Sequence, residues 1–218
     1  MRRTVIDLSH PIHDGMASYP GMPPPFIGLH TDHAASRSRY QGQAEFAIGR
    51  FELVGNVGTY LDSPFHRYPD GADVSDLPLQ RLVDLPTLVV DATDTARRHR
   101  QLDPLLADPL AGRAVLIRTG WDERWGTDAY WERGPYLGEV VLQQLVHARP
   151  AVVGVDFWNV DDPQDPRRPA HTQLLGAGIT VVEHLTRLGD IPDGAHTFFV
   201  PLPIKRAPSV PIRAFAIP

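Results

Sequence analysis

A carboxylate and an imidazole stand four positions apart in the stretch VGNVGTYLDSPFHRYPDG, residues 54–71. They are Asp62 and His66, and they flank a Ser-Pro pair whose proline keeps Ser63 out of the α region, so they are predicted to lie in a loop. Such a pair can bind a metal ion or transfer a proton. Taken alone, the simpler interpretation is that Asp62 caps a turn and His66 is a surface or packed histidine.

A second candidate pair, His171 and Glu183, lies near the end of the chain, on either side of a predicted helix end and strand. Histidine and carboxylate ligands suit a hard or borderline metal. The alternative is that His171 sits near a helix N-terminus and Glu183 is solvated. Ligand sites in open α/β sheets gather beyond the carboxyl ends of strands. Three aspartates follow such a predicted strand end: Asp156, Asp161 and Asp162.

Composition excludes several classes of function. The chain has 218 residues, a net charge of −5 and no cysteine. Without cysteine there are no disulfides, thiolate metal sites or cysteine nucleophiles, so any metal must be held by histidine, carboxylate or neutral oxygen ligands. The acidic balance argues against nucleic acid as a partner. No Walker loop, G-x-G-x-x-G or G-x-S-x-G motif supports phosphate, dinucleotide or serine-hydrolase chemistry.

The first ten residues and the hydropathy of the chain do not predict a signal peptide or a membrane span. The chain begins MRRTVIDLSH and reaches Asp7 before any long apolar run, which is not typical of a signal peptide. No run approaches the roughly 18 apolar residues of a membrane span. We therefore expect a cytoplasmic protein with a small-molecule substrate and no membrane or nucleic acid partner.

The elements that would position these residues indicate an α/β fold with one domain, residues 1–218. Short β-branched runs predict buried strands, and the apolar face of LGEVVLQQLVHARP predicts a helix that Pro150 ends. A proline-rich segment, 19–25, cannot be helix or central strand. The predicted strands lie at 4–12, 44–54, 87–92, 113–120, 151–157 and 179–185, with two more closing the chain, and a short helix is predicted at 171–178.

Taken together, the blocks IDLSHPI, YPGMP, GTYLDSPFH, GVDFWNVD and HTQLLGAGITVVEHLTRL, in this order, resemble the cyclase superfamily of bacterial kynurenine formamidase and isatin hydrolase. The resemblance covers nearly the whole chain. It implies a layered β/α/β core with a mixed central sheet and a homodimer or homotetramer. The family pattern is H-x-G-T-H-x-D-x-P-x-H, followed by a distant histidine and a glutamate about a dozen residues later.

Carried over by position, the resemblance assigns Asp62, His171 and Glu183 as metal ligands and His66 as the catalytic acid/base. The first two histidines of the pattern are replaced by Asn56 and Tyr60. An asparagine offers a weak neutral oxygen ligand, and a tyrosine binds metal well only as phenolate, with an unperturbed pKa of about 10. The remaining half of the site is expected to hold one divalent metal, zinc or manganese.

Three functions stay open at this point. The first is a one-metal hydrolase of an amide, lactone or cyclic imide. The second is a metal-free cyclase, dehydratase or isomerase in which Tyr60 and His66 form a proton-transfer pair. The third is a binding protein without catalysis, against which the retained polar residues count. Asn56, Phe65 and Trp158 are predicted to contact the substrate, with the aromatic rings stacking on a planar group.

Overall fold

The computed structural model describes residues 4–104, 106 and 109–218. The strands are β1 (Ile6–Asp7), β2 (Phe26–Thr31), β3 (Ile48–Glu52), β4 (Tyr60–Asp62), β5 (Leu85–Asp91), β6 (Gln101–Leu102), β7 (Ala114–Arg118), β8 (Tyr136–Leu137), β9 (Val152–Val155), β10 (Thr180–Glu183), β11 (His196–Pro201) and β12 (Ser209–Ile217). The helices are α1 (His33–Ser36), α2 (Thr93–Arg98), α3 (Glu139–Ala148) and α4 (Pro169–Gly176). In the part of the chain so described, no helix has the length and apolar character needed to cross a membrane.

The main sheet is mixed, as predicted. Strands β5, β7, β9 and β10 are parallel neighbours, and the remaining pairings are antiparallel. The long strand β12 pairs with β11 along one edge and with both β4 and β1 along the other. Because β4 also pairs with β10, the sheet closes into a barrel of β12, β11, β5, β7, β9, β10 and β4. The family resemblance implied the mixed sheet, but nothing in the sequence indicated its closure.

Alternation along the strands separates two apolar cores. Leu116 of β7 packs in the first core, which also holds Leu61 of β4, Val182 of β10 and residues of β11 and β12. The neighbouring Val115 and Ile117 pack in the second core, against helices α3 and α4. Since successive side chains of a strand point to opposite faces, the first core fills the barrel and the second lies between barrel and helices.

Most predicted elements are present with shorter bounds. The helix predicted before Pro150 is α3, and the strands predicted at 87–92, 113–120 and 151–157 are β5, β7 and β9. One expectation is wrong. The stretch 54–71 was expected to be all loop, yet it contains β4, because pairing with β10 and β12 overrides its local turn preference. Strands β2, β6 and β8 also have no counterpart among the predicted strands.

Candidate active site

The register of β4 with its two neighbours brings four polar side chains together. Tyr60 stands opposite Glu183 of β10, and Asp62 stands opposite Ser209 of β12. Leu61, between them, points into the barrel core, so Tyr60 and Asp62 point to the outer face, on the side where α4 packs. Asp62 and Glu183 are both fully buried. The site is therefore built on the rigid outer wall of the barrel.

Helix α4 supplies His171, and Asp161 positions it. The backbone N–H groups of Ala170 and His171 have no partner within the helix because they lie in its first turn. Both donate to the carboxylate of Asp161, at 2.6 and 3.2 Å. It also accepts from His171 Nδ1 at 2.6 Å. The hydrogen bond to Nδ1 leaves the lone pair of neutral His171 on Nε2, which faces the carboxylates of Asp62 and Glu183.

His66 lies in a 3-10 turn, Pro64–His66, that follows β4 directly. Its Nδ1 is 3.1 Å from Ser209 Oγ and 3.4 Å from Asp62 Oδ1, while the hydroxyl of Ser209 donates to Asp62 Oδ1. The Ser209 hydroxyl has one proton, which it donates to Asp62. Its oxygen therefore accepts from His66 Nδ1–H, and the lone pair of neutral His66 is on Nε2. The His66 side chain is 32% exposed. This histidine therefore combines a fixed tautomer with access to solvent.

One oxygen of Asp62 identifies the place where a cation fits. Asp62 Oδ2 is buried and has no hydrogen-bond partner among the described residues. It lies 3.6 Å from His171 Nε2, which is 3.8 Å from Glu183 Oε1. These separations are too long for hydrogen bonds but suit ligands about 2.0–2.2 Å from a shared ion. Ligand atoms of Asp62, His66 and His171 all lie within 4.8 Å of one another. This group of one carboxylate and two imidazoles fits one divalent metal. The predicted ligand Glu183 is not part of the group, and its two oxygens accept from Val160 N–H and Tyr60 O–H.

The pKa values of His171 and Glu183 reflect an excess of negative charge in this buried cluster. Burial alone lowers the pKa of His171, but its hydrogen bond with Asp161 and the charges of Glu183 and Asp62 raise it to about 10. Burial, together with the neighbouring charge of Asp62, raises the pKa of Glu183 to about 7. A lone pair on His171 Nε2 facing two carboxylates is unfavourable unless a cation lies between them. Either a proton on His171 Nε2 or a bound metal ion supplies the positive charge that this arrangement needs.

The two residues that replace the expected histidines contact this cluster without completing a second metal site. Tyr60 donates its hydroxyl proton to Glu183 Oε2. Burial and the charges of Glu183 and Asp62 raise the pKa of Tyr60 well above 10, so this tyrosine is neutral. The amide of Asn56 points its nitrogen at Asp62 Oδ1, at 3.4 Å. Both side chains act as hydrogen-bond donors to the carboxylates in this arrangement.

A cavity of about 200 Å³ opens onto the cluster. Asn56 lines it, whereas Phe65 and Trp158 do not. Trp158 is 7% exposed, donates to the Glu132 carbonyl and packs behind the wall residue Tyr19. The Phe65 ring lies near the guanidinium of Arg206 instead. The full lining is Tyr19, Met22, Asn56, Tyr60, His66, Asn159, Arg168, His171 and Glu183.

Several residues of the cavity and of the cluster were not identified as candidates from the sequence. Tyr19 and Met22 come from the proline-rich segment, which the sequence identified only as irregular. Ser209 is separated from Asp62 by 147 positions, so no local pattern links them. The signals that the sequence did offer were the aspartates beyond β9 and the Arg-Arg pair, 167–168, just before α4.

The fold and the site define a mixed α/β barrel with a buried histidine–carboxylate centre suited to a divalent metal. The chain belongs to the family described as "Putative cyclase", whose model matches residues 6–162. The kynurenine formamidases of Bacillus cereus and Salinibacter ruber are 26% and 28% identical to it, each over 215 residues. These alignments cover 98% and 96% of this chain, and 97% and 95% of the respective relatives.

Solved structures share the fold. Isatin hydrolase A from Labrenzia aggregata superimposes with a TM-score of 0.82 at 22% identity, covering 98% of this chain and 93% of that one. Isatin hydrolase A from Ralstonia solanacearum gives a TM-score of 0.79 at 25% identity, covering 98% and 91%. A third structure, described as a potential metal-dependent hydrolase with cyclase activity, gives 0.77 at 23% identity, covering 99% and 98%.

Proposed function

We propose that this protein is a metal-dependent hydrolase that cleaves an amide bond, or the related bond of a lactone or cyclic imide, in a small molecule. The observation that carries the proposal is the buried, unpartnered Asp62 Oδ2 opposite His171 Nε2, with His66 at the cavity beside them. The relatives named kynurenine formamidase and isatin hydrolase support the same class of reaction.

Asp62 and His171 would hold one divalent metal, with Glu183 as the third ligand that the family pattern assigns, and the mixed imidazole and carboxylate set favours zinc or manganese. Bound there, a divalent metal supplies Lewis-acid polarisation of a carbonyl and a more acidic water. Asp161 keeps the lone pair of His171 directed at this position. Val160 N–H and Tyr60 O–H orient the Glu183 carboxylate, one on each oxygen.

His66 moves the proton. Burial lowers the pKa of His66, so the ring is neutral at pH 7 with its lone pair on Nε2. In hydrolysis, water oxygen adds to the carbonyl carbon and His66 Nε2 takes a proton from that water. The same nitrogen then gives the proton to the departing nitrogen or oxygen as its bond to carbon breaks, leaving a carboxylic acid.

The metal-free alternative needs Tyr60 to exchange a proton with substrate. Its hydroxyl instead donates to Glu183, and its raised pKa keeps the phenol protonated. This geometry favours a positioning role for Tyr60 and leaves proton transfer to His66.

Hydrolysis of N-formyl and aryl amides, lactones and cyclic imides by the zinc- and manganese-loaded protein tests the proposal. His66→Gln is expected to lower kcat by about 10²–10⁴-fold while metal content is retained. His147→Gln, a change at an exposed histidine of α3, is the matched control and should leave both unchanged. Full activity in His66→Gln, or no turnover of any member of the panel, would overturn the proposal.

We also propose that the protein forms a homodimer or homotetramer in the cytoplasm. The support for assembly is the β2–β3 hairpin, whose second strand is exposed at every position. Phe51 and Leu29 are 66% and 57% exposed there. A two-stranded hairpin is marginal on its own, and clustered exposed apolar side chains favour burial against another surface.

A further inference from the structure

Arg168 is a charged residue of the cavity wall that the proposed chemistry leaves without a role. It directly precedes α4, and its side chain is 23% exposed. It lines the same cavity as His66 and His171. A guanidinium at the wall of a small reaction cavity is a binding group for an anion.

The hydrogen bonds of Arg168 leave most of its donors available. A guanidinium carries five N–H donors in a fixed fork. Among the described residues, one of them is used by a hydrogen bond, from Nη2 to Asn159 Oδ1 at 2.9 Å. Arg168 Nε forms an ion pair with Asp161 Oδ2 at 3.6 Å, a separation beyond hydrogen-bond distance that leaves this N–H donor free. Asp161 is itself occupied by three donors of α4, including His171 Nδ1.

The guanidinium also faces the carboxylate that positions His171. Arg168 Nε and His171 Nδ1 both face the same oxygen, Asp161 Oδ2, at 3.6 and 2.6 Å. Asn159 holds the fork on one side and donates in turn to Tyr19 Oη at 3.2 Å.

We propose that Arg168 binds a carboxylate of the substrate, so that the site selects small anionic amides whose carboxylate lies a few bonds from the cleaved bond. This inference rests on the proposed hydrolase function and names its substrate class. The cavity, at about 200 Å³, is smaller than the ~300–1,000 Å³ of sites for drug-sized ligands. A bidentate ion pair between guanidinium and carboxylate would fix both the position and the orientation of such a substrate.

The neighbouring Arg167 provides a matched control. It is adjacent in sequence and also carries a positive charge, but its side chain is 82% exposed and pairs with Asp165 at 2.7 Å. It does not line the cavity. A general effect of net charge on an anion would be the same for both arginines, whereas a binding role belongs to Arg168 alone.

The test is calorimetric binding of benzoate and its neutral isostere benzamide, with the protein both as purified and after treatment with EDTA. Wild-type protein is expected to bind benzoate about ten- to a hundredfold more tightly than benzamide, the range of a charge-assisted hydrogen-bonded pair. Arg168→Gln should bind the two probes equally, with benzamide affinity unchanged. Arg168→Lys should keep part of the preference, and Arg167→Gln should keep all of it.

Binding does not depend on turnover, so this outcome is independent of the hydrolase assay. A preference for benzoate that survives in Arg168→Gln would place the anion elsewhere, for example on the metal, and would overturn the proposal. Equal binding of the two probes by wild-type protein, or no binding of benzoate, would overturn it as well. Melting curves of the variants establish that each is folded, and Arg168→Lys provides the comparison if Arg168→Gln is not.

Discussion

At the scale of single residues, the site depends on which nitrogen of each histidine is occupied. His171 uses Nδ1 on Asp161, and His66 uses Nδ1 on Ser209, so both present Nε2 to the site. The residue types and spacings in the sequence were enough to identify both histidines as candidates. They were not enough to give the tautomers, because the partners that fix them are set by the fold.

The first prediction concerns Asp161, which orients His171. Asp161→Asn replaces one acceptor oxygen with an NH₂ group facing donors, so the ring loses its strongest restraint. We expect metal affinity to fall by about 10–100-fold with the fold retained. Competition with a chromogenic chelator measures it. Asp165→Asn, at a carboxylate that pairs with exposed Arg167, is the control and should bind metal normally. Equal affinities in the two variants would contradict the role of Asp161.

The second prediction separates the two roles proposed for Tyr60. If Tyr60 only positions Glu183, Tyr60→Phe removes one hydrogen bond and should lower the free energy of unfolding by about 1–2 kcal/mol. Its kcat should fall less than about tenfold, because general acid–base groups contribute about 10²–10⁴-fold. The acid limb of the pH profile of kcat/KM, which protonation of His66 sets, should not change. Loss of activity beyond that range would instead identify Tyr60 as a proton donor.

At the scale of elements, buried regular segments were the most predictable. The β-branched runs of β5, β7 and β9 and the apolar face of α3 are recognisable because both faces of these parallel strands are covered. Strand β4 was missed because it has three residues and exists only through its two neighbours. Gly55 allows the preceding loop to approach β12, since a Cβ there would lie 2.5 Å from Ser209 O.

The third prediction concerns the carboxyl ends of β7 and β9, which Asp156 joins. Its buried carboxylate accepts from the backbone N–H groups of Thr119 and Gly120 and from the Thr119 hydroxyl. Asp156→Ala should lower the free energy of unfolding by about 2–4 kcal/mol, because it leaves buried donors unpaired. Thr119→Val removes one donor and should cost about 1 kcal/mol. Urea denaturation measures both, and equal costs would contradict this ranking.

At the scale of the whole molecule, barrel closure is the feature that the sequence did not indicate. The decisive pairing joins Asp62 to Ser209 across 147 positions, and closure depends on β12 being shared by strands from both ends of the chain. Local patterns report burial and period but not which edges meet. The family resemblance implied the mixed sheet and assigned the candidate ligand positions, and the departure at Asn56 and Tyr60 was visible only because that pattern was known.

The fourth prediction concerns assembly through the β2–β3 hairpin. Phe51→Glu places a charge on its exposed apolar surface and should shift a dimer or tetramer towards monomer, as measured by light scattering after size exclusion. Val140→Glu on α3 is the control, since Val140 is 53% exposed outside the hairpin. An unchanged mass for Phe51→Glu, or a monomeric wild-type protein, would contradict assembly through this hairpin.

The central claim is that the half-site of Asp62, His171 and Glu183 holds one divalent metal. The most direct measurement is elemental analysis of the purified, untagged protein beside Asp62→Asn and His171→Gln, with His147→Gln as control. We predict about one zinc or manganese per chain in the wild-type and control proteins, and a loss of metal in both site variants. Wild-type protein that holds no metal after incubation with zinc and manganese would contradict the claim.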